Sequence, residues 1–183
     1  MLLVYFVIAA IPLGYLLKGR LRNYLHAPLR MEFLPVLAFA LEACFGRIGP
    51  MTGLEAAQWL PWAVCAEYAL LTAFILLNIR RRGVKLLAVA TAMNFAVISA
   101  NGFRMPVSPR VFDYPALAPL IERIQSGDIP EYVLADWDAP LLFLGDVLPI
   151  AGGLASVGDL FMAAGMLVLI VHLMRSPAPE NPQ

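Results

Sequence analysis

Charge is the scarcest thing in this sequence. Only 14% of its 183 residues are Asp, Glu, Lys or Arg, and 13 bases balance 13 acids. Soluble domains carry about 25% charged residues. A 20 kDa globule has too much surface to cover with so few. The shortage argues against a soluble domain, and 61% hydrophobic residues argue against disorder. Zero net charge with no basic domain argues against a nucleic-acid partner. Cysteine and histidine are rare too, at two each. Cys44 and Cys65 stand in apolar stretches, where a free thiol serves as a small hydrophobe. A disulfide or a lipid acceptor is the alternative. His26 and His172 lie far apart, and no zinc-like Cys/His spacing exists, so neither metal nor cofactor is expected. Phosphate loops, HExxH and GxSxG are all missing.

What the sequence has is apolar runs. They cover about Leu2–Leu17, Phe33–Phe45, Trp59–Ile79, Leu86–Ala100 and Leu154–Met174. Roughly 20 apolar residues span a bilayer, and shorter runs manage with snorkelling flanks. The first run has its positive charges after it, which suits a retained helix better than a cleaved signal. Trp59 and Trp62 read as interfacial anchors, and Gly46–Gln58 reads as a Gly- and Pro-punctuated turn. The stretch 18–30 is basic, with Leu17, Leu21, Tyr24 and Leu25 at helical spacing, and is expected along the interface.

Nine of the 13 bases fall on one side of this arrangement: Lys18, Arg20, Arg22, Arg30, Arg80–Arg82, Lys85 and Arg175. The positive-inside rule then puts the N-terminus outside and the C-terminus inside. Leu141–Ile150 must be a short re-entrant or interfacial element if that orientation holds. The expected fold is therefore all-α: a polytopic membrane helix bundle of about five transmembrane helices plus that element. Residues 1–174 form one membrane domain and 175–183 a disordered tail. The outer loop 101–139 carries an amphipathic helix with Leu117, Leu120, Ile121 and Ile124 on one face, expected to lie on the outer leaflet.

The chemistry must come from the few polar residues inside apolar runs, namely Glu42, Glu67, Asn94, Asp146 and Asp159. A charge at mid-bilayer costs roughly 2.5–3.5 kcal/mol on insertion scales, so such residues are functional candidates by default. Glu42 falls near the outer end of its short run, and Glu67 lies deeper. The bland alternative for both is a satisfied interhelical hydrogen bond, and Asn94 reads as interhelical glue. Asp146 and Asp159 flank a Gly152-Gly153 turn, so a fold-back would bring them together. Two carboxylates on one site share a proton, giving an acid and a base that activate water. The same pair also suits a cation or a carried proton. The structural alternative is that Asp159 caps the last helix. Gly158 and Gly165 share a face of that helix and permit close packing. In the Asn101–Arg110 loop, Asn101, Gly102, Arg104 and Ser108 are candidate ligand-binding residues. Arg104 and Arg110 have a headgroup or the Asp pair as targets. The expected partners are the bilayer itself and a lipid or membrane-protein partner.

The stretch Asn101-Gly102-Phe103-Arg104-Met105-Pro106-Val107-Ser108 resembles the signature of an uncharacterised bacterial membrane family, a domain of unknown function. Its pattern is Asn-Gly-Gly-x-Met-Pro-Val-Ser, with Leu-Gly-Asp-Val, Ser-Ile-Gly-Asp and an Asn-Arg turn elsewhere. Leu144–Val147, Ser156–Asp159 and Asn78–Arg80 match these. Phe103 replaces the second Gly and Val157 replaces Ile. The resemblance implies a bacterial inner-membrane location and no particular activity. A weaker resemblance is to signal peptidase II, an aspartyl peptidase. Asn101, Asp146, Asp159 and Gly165 follow the order of its outer Asn-x-Gly loop, its two Asp and its last-helix Gly. The residue between Asn and Gly is missing here, as is the Asn-Leu-x-Asp-Arg element. Ala155-Ser156 replaces its Phe-Asn. That likeness implies an intramembrane hydrolase with Asp146 and Asp159 as its dyad. The leading reading from the residues is an integral membrane protein that binds a lipid, ion or partner at its outer face through the Asn101–Ser108 loop and the Asp146/Asp159 region. The hydrolase is the second, and a small proton- or ion-coupled carrier using Glu67 and the Asp pair is the third.

Overall fold

The apolar runs form helices, as their composition demands. The computed structural model describes residues 2–25, 29–51, 53–150 and 153–176. His26, Gly152 and the tail 177–183 lie outside them. The helices are α1 (Leu2–Leu16), α2 (Leu21–Leu25), α3 (Phe33–Met51), α4 (Ala56–Asn78), α5 (Val84–Ala100), α6 (Ala118–Gln125) and α7 (Val157–Arg175). Among the described residues, α4 and α7 are long and apolar enough to cross a membrane.

Two expectations need correcting. First, α3 does not stop at Phe45. It continues through Gly46, Gly49 and Pro50 to Met51. Tertiary packing overrides the weak local propensity: Gly49 lies so close to the Trp59 indole that a Cβ there would stand 2.6 Å from it. Trp59 is therefore buried in the core and no interfacial anchor, whereas Trp62 is exposed. Second, the chain is not all-α. It is mostly helical with a four-stranded sheet. The strands are β1 (Met105–Val107), β2 (Tyr132–Leu134), β3 (Asp146–Ile150) and β4 (Gly153–Ser156), in the order β2-β1-β3-β4. β1 runs parallel to β2 and β3, and β3 pairs antiparallel with β4. Leu141–Ile150 is thus a 3-10 turn at Leu142–Leu144 followed by β3.

Pro106 sits in an interior strand, where proline is normally excluded. It is tolerated because Met105 N donates to Glu131 O (2.8 Å) and Val107 O accepts from Ala135 N (3.0 Å), both on the β2 side. The β3 side pairs only from Val107 onward, where Ser108 N donates to Asp146 O (3.0 Å). No bond is asked of the missing Pro106 N–H. Gly145 lets β3 begin there, since a Cβ would stand 2.5 Å from Pro106 O.

The amphipathic helix at 118–125 forms, but its apolar face is used within the protein. Ile121 and Ile124 pack on Val107, Val111 and Leu117. The long helices sit side by side as α1–α7–α5–α4–α3. Gly83, at φ 89, and Gly165 press backbone to backbone where α5 begins against α7. At the same end, Arg20 N (2.8 Å) and Asn23 Nδ2 (3.0 Å) donate to Met174 O, closing the last turn of α7. The basic segment after α1 is therefore tied to α7. Cys44 and Cys65 are free and exposed, not buried.

Candidate functional site: an acid-lined cavity

The sheet and the long helices meet around a cavity of about 560 Å³. Its depth follows from the α3–α4 hairpin. Because α3 runs to Met51, Glu42 stands mid-helix and not at an outer end. Glu67 stands mid-helix on α4, so the two acids lie at matching depth from the turn. Both line the cavity. Among the described residues, no hydrogen bond or ion pair holds either carboxylate.

Two more acids come from the sheet end. β3 and β4 pair Asp146 with Ser156, one turn before Asp159. The fold-back expected from the sequence thus forms, and both carboxylates line the same cavity. They are held differently. Asp159 Oδ2 accepts from Ser156 N (3.0 Å), and Ser156 Oγ accepts from Asp159 N (2.9 Å), a reciprocal cap on α7. Asp159 Oδ1 accepts from Asn94 Nδ2 (3.3 Å), while Ser156 Oγ donates to Asn94 Oδ1 (3.1 Å). Gly158 makes room for this network, because a Cβ there would collide with the Asn94 amide. Asp146 has no side-chain partner among the described residues although it is only 7% exposed. Burial, then the charge of Asp159, pushes its carboxyl up to about 7.

Glu131, just before β2, adds a fifth carboxyl group. Phe39, Trp59, Tyr68, Phe103 and Tyr132 supply aromatic surface, and Tyr68 is braced by Phe95 at 5.1 Å between ring centroids. Among the described residues, no Lys, Arg or His lines this cavity. Among the described residues, no three acids, histidines or cysteines converge closely enough to hold a metal ion.

The candidate residues of the 101–108 loop stand apart. Asn101, Gly102, Arg104 and Ser108 do not line the cavity, whereas their neighbours Phe103 and Met105 do. Asn101 Nδ2 donates to Val97 O and Pro140 O, both at 2.8 Å, tying the end of α5 to the far end of the loop. Gly102 takes φ 68, and Phe103 takes φ 61 where the related pattern carries glycine. Ser108 is buried and caps the 3-10 turn Pro109–Asp113 by accepting from Arg110 N (3.3 Å). Among the described residues, no ion pair joins Arg104 or Arg110 to Asp146 or Asp159. Sequence reasoning had not singled out Glu131, Tyr68 or Tyr132. They carry no local signal, because α3, β2 and β3 converge only in three dimensions.

Residues 26–171 match a family of unknown function, DUF5317. No curated protein and no solved structure matches the chain.

Proposed function

The chain belongs to that family, and since membership names no activity, we propose a function from the cavity: a multi-pass bacterial inner-membrane protein that binds a cationic ligand near its outer face. The observation that carries this is five carboxyl groups and five aromatic rings around one space with no basic side chain among the described residues. Carboxylates supply the charge, and aromatic faces favour an organic cation desolvated among them. Four of the five acids, Glu42, Glu67, Glu131 and Asp146, have carboxylates with no protein partner among the described residues. Among the described residues no metal-ligand set converges, which favours a diffuse organic cation over a bare divalent ion.

Several features support the membrane reading. α4 and α7 are long and apolar enough to span. Leu16, Val36, Trp62 and Leu76 point outward with 66–80% of their surface exposed, which suits lipid better than water. In this reading α1, α3, α4, α5 and α7 cross the membrane and the sheet lies outside. The basic loops, with nine of the 13 bases counting Arg175, lie inside.

The test is equilibrium binding of tetramethylammonium to the full chain in lipid nanodiscs. Saturable binding is expected, weakened at least tenfold by Glu67→Gln. Equal binding of acetate, or no loss in that variant, contradicts the proposal.

The shared cavity of Asp146 and Asp159 is the observation favouring a second reading, an aspartyl hydrolase. It is the weaker one, because both Asp159 oxygens are committed to Ser156 and Asn94. Peptidase activity lost in Asp146→Asn would restore it. A carrier would move the same cation, and its test is tetramethylammonium uptake into proteoliposomes.

A further inference from the structure

Below the acid cavity lies a second chamber of about 240 Å³. Its walls include Leu29, Pro35, Phe74, Ile75, Leu87 and Leu169, with Glu32 and Thr91 the polar exceptions. The two chambers share Leu3, Phe39, Leu71 and Met162, one residue each from α1, α3, α4 and α7. The order along the helices is consistent. On α3 the acid chamber takes Glu42 and the apolar one takes Pro35. On α4 the sequence is Glu67, then Leu71, then Phe74 and Ile75. On α5 it is Leu87, then Asn94, and on α7 Asp159, then Met162, then Met166 and Leu169. Each helix thus passes from an acid level at the sheet end to an apolar level at the basic end. The shared residues mark the junction.

We propose that the occupant of this paired space is a single-chain cationic amphiphile, its ammonium head among the carboxylates and its hydrocarbon tail in the apolar chamber. This rests on the cation reading given above and adds the tail. The head site is more than an acidic cluster. Asp146 and Glu67 are each about nine-tenths buried, line the head chamber and have carboxylates that meet no partner among the described residues. The tail site holds on the order of eight water volumes at ~30 Å³ each, and its lining leaves water few partners. A short alkyl chain fits that space. The orientation, head outward and tail toward the basic inner end, is that of a lipid in the outer leaflet.

The experiment compares decyltrimethylammonium, tetramethylammonium and decyl sulfate on the full chain in nanodiscs, each corrected for partition into empty nanodiscs. Decyltrimethylammonium is expected to bind at least tenfold more tightly than tetramethylammonium. That advantage should vanish in Met166→Trp and in Ile170→Phe, larger side chains at two wall positions that fill the apolar chamber, while tetramethylammonium binding persists. Two variants guard against one that fails to fold. Equal affinity for the two ammonium ions, or a chain-length advantage surviving in both variants, overturns the tail and leaves the cation site standing. No binding of either ammonium ion, or decyl sulfate binding as tightly, overturns the cation site itself and the amphiphile with it.

Discussion

The two ends of the bundle use the same residue types for opposite purposes, and two buried asparagines, Asn78 and Asn94, show it most clearly. Asn78, at the basic end, is wholly committed to backbone. Its Nδ2 donates to Arg30 O and Phe74 O (both 2.9 Å), and its Oδ1 accepts from Arg30 N (2.8 Å). It fastens the end of α4 to the segment entering α3. Asn94, at the sheet end, holds Asp159 and Ser156 and lines the acid cavity. Glycine divides the same way. Gly83 and Gly165 bring α5 and α7 together at the basic end, whereas Gly158 makes room for a polar network beside a cavity. One end closes the protein; the other holds space open and leaves carboxylates without partners among the described residues.

The largest effect separating the ends is in pH dependence. Asp146 holds a proton up to about pH 7 in the folded protein, against about 3.9 for an aspartate in an unfolded chain. Folding therefore takes up a proton between about pH 4 and 7, and stability falls as pH rises through that window, levelling off above it. Among the described residues, the groups around it, Asp159, Glu131, Glu42, Glu67 and Tyr132, include no base to reverse this trend. The drop reaches on the order of 4 kcal/mol. Thermal unfolding of Asp146→Asn across pH 4–8 should show a flatter profile than the unsubstituted chain. An unchanged slope would remove Asp146 as its cause.

Next comes Gly158→Leu, which drives a side chain into the Asn94 amide. Overpacking of this kind costs about 1–3 kcal/mol, and cation affinity should fall with it because Asp159 is displaced. Asn78→Ala should cost about 1–2 kcal/mol by leaving Arg30 backbone groups unpaired. Its cation affinity should match that of the unsubstituted chain. Denaturation and binding measured on both variants decide whether the ends are separable. An affinity loss in Asn78→Ala would mean that they are not.

The smallest effect is expected for Phe103→Gly. A left-handed residue other than glycine costs roughly 1–2 kcal/mol, and relief of that cost offsets the lost aromatic packing. Stability should change by less than about 1 kcal/mol, while the loss of a ring from the cavity wall weakens binding of an organic cation. Unchanged affinity would show that the ring takes no part.

Much of this contrast was legible in the sequence, unevenly. The apolar runs located the long helices because composition alone specifies them. The clustering of bases at 18–30 and 80–85 marked one end. The Asp146–Asp159 fold-back was legible because Gly and Ser punctuate a short span. The end of α3 was not, since only the Gly49–Trp59 contact explains why Gly and Pro fail to stop it. The sheet was hidden because strands of three to five residues, one containing Pro106, leave no readable alternation. The match between Asn101–Ser108 and a family signature drew attention to that loop. Much of the loop's polar chemistry supports β1 and caps neighbouring turns, and the cavity takes Phe103 and Met105 instead.

As proposed, the acid end is a cation site and the basic end is not. Anomalous diffraction from crystals of the full chain grown with tetramethylarsonium tests this. An arsenic peak is expected among Glu42, Glu67 and Asp146, lost in the Glu42→Gln/Glu67→Gln variant. A saturated crystal with no peak in that cavity, or with arsenic bound only at the basic end, would contradict it.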